Sequence, residues 1–168
     1  MEQKPNSITE VEDNNVKPHL HKTQCYMQPF WEQSGISIYN ESNLDTMARM
    51  ADNSIDLTVT SPPYDNLRNY KGFTFEFEKV AQELYRVTKE GGVVIWVVGD
   101  ATINGTETGS SFIQALHFKN ICGFNLHDTC IFKKKNPMPQ NHNRLDQCFE
   151  YMFVFSKGKP KTFNPIYE

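Results

Sequence analysis

The residues best placed for chemistry are Thr60-Ser61-Pro62-Pro63-Tyr64, which follow an apolar strand-like run, Ile55-Asp56-Leu57-Thr58-Val59. Each proline lacks a backbone N–H and fixes its own φ, so the pair cannot continue a central strand or a helix interior. The chain must leave the sheet there. Prolines also hold the preceding residue extended. The Ser61 hydroxyl, the Ser61 and Pro62 carbonyls and the Tyr64 ring therefore sit on a stiff turn at a strand's carboxyl end, where open α/β sheets place their ligand crevices. Two fixed oxygens side by side accept both hydrogens of an exocyclic amine and aim its lone pair outward, while the ring offers a stacking face to a planar heterocycle. That suits attack by a weakly nucleophilic amine on a methyl group. As a bare four-residue match, the same turn reads more simply as a rigid loop with a half-buried tyrosine.

The elements needed to position this turn alternate along the chain. Residues 1–34 are polar, with Pro5, Pro18 and Pro29 scattered through them, and read as an irregular or mobile arm. Residues 35–39 form a short strand candidate. Leu44, Met47, Ala48 and Ala51 recur at helical spacing ahead of the 55–60 strand. Residues 65–74 are a polar, glycine-containing loop able to close over a substrate. Phe77, Val80, Ala81, Leu84 and Val87 predict the next helix, with Gly91-Gly92 as its stop. Residues 93–98 are apolar without alternation, as in a strand buried on both faces. Ser110 or Ser111 is expected to cap a helix over 112–121 that Gly123 ends, and 124–132 and 151–155 read as two further strands, antiparallel at one edge. The order β-α-β-α-β-α-β-β indicates one layered α/β domain over 35–168.

Composition agrees with a globular domain: 168 residues, 38% hydrophobic and 22% charged. No apolar run approaches the roughly 18 residues that span a bilayer, and the first 23 residues show no signal-peptide core, so a cytoplasmic protein is expected. Cys25, Cys122, Cys130 and Cys148 have no C-x-x-C spacing and read as reduced and structural, with no metal site. The net charge of −3 is unevenly spread. Residues 1–118 hold 9 Lys and Arg against 16 Asp and Glu, whereas residues 119–168 hold 8 against 4. Lys133-Lys134-Lys135 and Arg144 flank an extended polar segment in the basic end, which could track a phosphate backbone; a solvated lysine run is the simpler reading of three lysines alone.

Residues 53–64 resemble the catalytic segment of the DNA methyltransferases that modify N4 of cytosine or N6 of adenine. Phe77, the 83–92 run Glu-Leu-Tyr-Arg-Val-Thr-Lys-Glu-Gly-Gly, the strand ending in Gly99-Asp100, Gly123-Phe124 with Ile131-Phe132-Lys133-Lys134, and the 150–158 run Glu-Tyr-Met-Phe-Val-Phe-Ser-Lys-Gly are similar, in order, to the segments that follow it in that family. The similarity covers roughly residues 36–164, and the order of segments is more specific than any single motif.

The resemblance implies a doubly wound, mostly parallel α/β sheet of the S-adenosylmethionine-dependent type, apparently incomplete, with S-adenosylmethionine as cofactor and DNA as partner. It implies Ser61, Pro62, Pro63 and Tyr64 as the catalytic set. Ser61 is also the one residue of the turn expected near the cofactor. Asp65 and Asp100 are candidates for the base pocket, although turn or cap roles fit both. Ser-Pro-Pro-Tyr resembles the N4-cytosine enzymes most, with N6-adenine as the alternative. The family's glycine-rich F-x-G-x-G turn, which holds the cofactor, has no counterpart in this sequence. The chain is therefore expected to be the front part of a longer enzyme, one half of a split enzyme whose second chain supplies cofactor loop and target recognition, or a degenerate remnant acting as a non-catalytic DNA-binding or assembly module.

Overall fold

The computed structural model describes residues 28–65, 74–137 and 143–165, in two units, residues 28–38 and 39–165. The first is a hairpin of β1 (Trp31–Gln33) and β2 (Ile36–Ile38), with Trp31 opposite Ile38. Ser34 and Gly35 both take positive φ, 51° and 78°, the backbone that a two-residue hairpin turn demands. Strand β1 lies in the stretch expected to be irregular. The signal for it was this Ser-Gly turn, not the polar composition around it.

The second unit begins with α1 (Asn43–Arg49), whose first turn is capped by the Ser42 hydroxyl accepting from Leu44 N at 3.3 Å. Then come β3 (Ile55–Thr60), α2 (Phe77–Val87), β4 (Thr88–Val98), a small hairpin of β5 (Thr102–Ile103) and β6 (Thr106–Glu107), and α3 (Ser110–His117). Helix α3 runs into a π-helical turn, Phe118–Cys122, closed by Gly123 at φ 93°. Strands β7 (Asn125–Lys133) and β8 (Phe149–Ser156) complete the sheet. Its order is β3-β4-β8-β7: β3 and β4 are parallel, and the other two pairings are antiparallel. The fold is α/β with a mixed sheet.

Gly91-Gly92 does not stop α2. The helix ends at Val87, where Thr88 N–H bonds the Leu84 carbonyl and Thr88 Oγ1 donates to the same oxygen at 2.6 Å. The glycines lie inside β4 at a bulge, where the pairing with β3 skips from Ile55–Thr88 to Leu57–Val93. Gly91 takes φ 81°, and a β-carbon on Gly92 would stand 2.9 Å from the Lys89 carbonyl oxygen and 3.0 Å from that of Asp56. Only glycine fits such a close approach of two backbones.

Residues 93–98 are covered unequally. Val94, Trp96 and Val98 are fully buried beneath the helices with Phe118, Phe124, Phe153 and Phe155, and Trp96 Nε1 donates to the buried Gln114 Oε1 at 2.9 Å. Val93, Ile95 and Val97, on the opposite face, are only half-buried, and their neighbours Leu57 and Val59 on β3 are 56% and 63% exposed. The absence of alternation was correct as composition, yet one face of this apolar sheet has no layer over it among the described residues.

Arg86 on α2 fixes α1 in place. It donates to the Met47 carbonyl at 2.6 Å and the Met50 carbonyl at 2.9 Å, satisfying the end of α1, and also bonds Glu83 and Asp52. These bonds raise the Arg86 pKa still further and hold the Glu83 carboxyl below its ordinary range.

Candidate active site

Ser61, Pro62, Pro63 and Tyr64 follow β3 directly, beside the carboxyl end of the parallel strand β4. The proline pair ends the strand, and the turn folds back so that Tyr64 packs by Gly99, where a β-carbon would stand 3.8 Å from the ring. Ser61 Oγ and Tyr64 Oη are 2.6 Å apart, and Tyr64 Oη donates to Glu150 Oε2 at 3.1 Å. The other carboxylate oxygen of Glu150 pairs with Lys134 Nζ at 2.9 Å. Lys134 is itself tied by its backbone N–H to the Cys148 carbonyl at 2.8 Å, which joins the end of β7 to the segment entering β8. Four side chains from three parts of the sequence thus meet at one sheet edge.

Sequence reasoning missed Glu150. Its signal was an acidic residue opening the otherwise apolar run Tyr151-Met152-Phe153-Val154-Phe155, but nothing local pairs it with a tyrosine 86 positions earlier. Lys134, expected on a phosphate backbone, is instead joined to that carboxylate. Arg144 also turns inward: it donates to the Gly105 carbonyl and lies 4.0 Å from Glu107 on the β5–β6 hairpin. Lys133 and Lys135 are exposed. Residues 138–142, between the lysines and Arg144, and residues 66–73 of the loop expected to close over substrate lie outside the described residues.

Asp65 and Asp100 are brought together, and both work on the framework. Asp65, at φ 43°, accepts from Thr108 Oγ1 at 2.8 Å, Ser110 Oγ at 3.0 Å and the Ala101 N–H at 3.2 Å. Asp100 is buried and accepts from Ser111 N at 2.8 Å and Ser111 Oγ at 2.5 Å; Ser110 Oγ, whose single hydrogen lies between the two carboxylates, is 3.1 Å away. The expected serine cap of α3 is replaced by this carboxylate. Gly109 occupies the cap position with no side chain to offer, so Asp100 reaches across to the Ser111 N–H. Its bonds to α3 are those of a helix cap.

No glycine-rich strand-to-helix turn stands among the described residues. Nor do these residues include three His, Cys, Asp or Glu arranged to hold a metal ion.

Comparison with known proteins gives the chain a family. A DNA methylase family model of the N6/N4 type fits residues 55–167. The orphan methyltransferase M.BamHII of Bacillus amyloliquefaciens is 68% identical over 115 residues, which are 68% of this chain and 43% of that protein. The type II methyltransferase M.MthZI of Methanothermobacter thermautotrophicus is 29% identical over 75% of this chain and 46% of its own length. Among solved structures, the cytosine-N4-specific PvuII DNA methyltransferase superposes with a TM-score of 0.68 at 20% identity, over 80% of this chain and 54% of its own. TTHA0409 of Thermus thermophilus, solved with S-adenosyl-L-methionine, shares the fold with a TM-score of 0.53 at 24% identity, over 74% of this chain and 56% of that one. The chain thus spans about half the length of the relatives it matches. On the family match, the order of its strands and the placement of its Ser-Pro-Pro-Tyr turn, this chain belongs to the N6/N4-type DNA methylase family.

Proposed function

We propose that this chain is the catalytic portion of a DNA methyltransferase that transfers the methyl group of S-adenosylmethionine to the exocyclic amine of a flipped base, N4 of cytosine. The observation that carries the reading is the Ser61-Pro62-Pro63-Tyr64 turn at the carboxyl ends of two parallel strands, with the Ser61 and Tyr64 hydroxyls 2.6 Å apart. Ser61 Oγ and the Pro62 carbonyl accept the two amine hydrogens, and the Tyr64 ring flanks the base. Taking a base out of the stack costs a few kcal/mol, which its contacts in the pocket offset. Holding the amine in line removes much of the entropic barrier, so no covalent enzyme intermediate is required. The exposed Lys133 and Lys135 lie where phosphates pass. Such a protein works in the cytoplasm, with the DNA.

The donor's amino-acid end has no cradle in these residues, so the chain works together with a polypeptide that supplies the glycine-rich turn and target recognition, either in a longer chain or as a partner. The bare sheet face supports this. On that face of three adjacent strands Leu57 pairs with Val93, Ile95 lies between Val59 and Val154, and Val97 pairs with Met152. An apolar face of this extent calls for a covering layer. Among the described residues, β3 also has a neighbour on one side only. A strand added parallel to β3 would end beside Ser61, which is where a cofactor turn has to stand.

The test is to co-express the full chain with the part of M.BamHII outside the matched region and to digest the methylated DNA for mass spectrometry. N4-methylcytosine is expected; N6-methyladenine alone would refute the base assignment. The missing cradle also favours a second reading, a non-catalytic DNA-binding or assembly module, which predicts DNA retention by the pair with no methylated base.

A further inference from the structure

We infer that Glu150 is a positioning residue that sets the direction of the hydrogen bonds at the catalytic turn, and so makes Ser61 an acceptor. The inference rests on the proposed methyl transfer and concerns how the same site is prepared. An ionised carboxylate only accepts hydrogen bonds, and a phenol has a single hydrogen to donate. Tyr64 Oη gives that hydrogen to Glu150 Oε2 at 3.1 Å, so the 2.6 Å contact between Ser61 and Tyr64 must be donated by Ser61. With its own hydrogen committed to Tyr64, the Ser61 oxygen presents lone pairs outward, and an exocyclic amine is a donor. Reversing the chain would occupy one Ser61 lone pair with the Tyr64 hydrogen and leave the Ser61 hydrogen competing with those of the amine for the same space.

Lys134 locks the arrangement. Its ammonium stands 2.9 Å from Glu150 Oε1, neutralising the carboxylate at a site where Glu150 is only 19% exposed. The lysine expected on DNA therefore serves the polarity of the site from behind.

This makes the nearly isosteric Glu150→Gln the telling variant. An amide has one acceptor and one donor end. Beside Lys134 the amide oxygen turns to the ammonium, leaving the amide N–H groups facing Tyr64; the phenol then donates to Ser61, and Ser61 points its hydrogen outward. In the co-expressed pair, Glu150→Gln should lower kcat by about 10- to 100-fold, the range for groups that orient a functional ligand from behind, with the KM for DNA little changed. Adding Lys134→Met to Glu150→Gln should restore much of the loss, because the amide oxygen can then turn to Tyr64. In a Ser61→Ala background Glu150→Gln should cost nothing further. A packing role for Glu150 predicts the reverse: full activity in Glu150→Gln and no rescue.

A second measurement needs no activity. In the isolated full chain with labelled tyrosine, the Tyr64 hydroxyl proton should show a nuclear Overhauser contact to the Glu150 methylenes, and Glu150→Gln should shift that contact to Ser61. If the wild-type proton points to Ser61, the inference falls, whatever the pair does to DNA. If that contact is found but the pair methylates nothing, the proposed function falls and the polarity assignment stands.

Discussion

Asp65 and Asp100, 35 positions apart, converge on the same serine: Ser110 Oγ lies 3.0 Å from Asp65 Oδ2 and 3.1 Å from Asp100 Oδ1. The residue that closes the catalytic turn is thereby tied to the one that caps α3. The start of α3 acts as an anchor for the turn: Asp100 takes the Ser111 N–H, and Asp65 reaches the Ser110 hydroxyl.

Asp100→Ala should destabilise the fold by about 1–2 kcal/mol, as loss of a helix cap does, with a lower denaturant midpoint and an unchanged m-value. Asp65→Ala should affect stability less and loosen the turn more. Unaltered unfolding of the Asp100 variant would remove the carboxylate from the role of cap.

Removing Arg86 takes a charged donor from two carbonyls at the end of α1, leaving the Met47 carbonyl with the Met50 N–H alone. Arg86→Ala should cost about 1–3 kcal/mol, the range for hydrogen bonds to charged groups. Because the Glu83 pKa is lowered in the folded state, its contribution is present above the unfolded value and is lost as pH falls through the folded one. Glu83→Gln should therefore flatten the acid limb of a stability-versus-pH curve while leaving its slope near neutrality alone; an unchanged acid limb would discount the pair.

DNA binding should divide the basic residues. Lys133→Ala and Lys135→Ala are each expected to weaken binding alike on all sequences and to reduce the salt slope by about 0.9. Lys134→Ala and Arg144→Ala should leave that slope nearly as it was. Filter binding over a salt series decides it, and equal slopes for all four variants would contradict the division.

The bare sheet face gives the fourth prediction. Leu57 and Val59 are exposed in the isolated chain, so Leu57→Glu with Val59→Glu should leave its circular dichroism and melting little altered. The same change should weaken capture of the co-expressed M.BamHII segment by more than about tenfold, since it places charge in an apolar interface. Undiminished capture, or a homodimer of the chain that the change breaks up, would show that the face serves something else.

What the sequence disclosed follows from how local each signal was. The strand and its proline exit at 55–64, the helical stripe from Phe77 to Val87 and the glycine that ends the helical run before Phe124 depend on neighbouring residues, and the structure has them in place. Gly91-Gly92 misled because a glycine pair marks a helix end and a bulge equally well; only the register between β3 and β4 separates the two. The α3 cap was assigned to the nearest serines because a carboxylate ten residues upstream leaves no pattern. Glu150 and the inward turn of Lys134 were illegible for the same reason. Their meaning lies in pairings 16 and 86 positions long, beyond the reach of a local pattern.

Among the described residues β3 has one neighbour only, and its open edge has a consequence for the life of the protein. An unpaired strand edge flanked by exposed Leu57 and Val59 is a template for strand addition by any chain nearby, including newly made copies of itself. Copies without a covering segment would be drawn into aggregates or cleared by proteases, so the steady-state amount of this polypeptide should follow the supply of whatever completes its sheet.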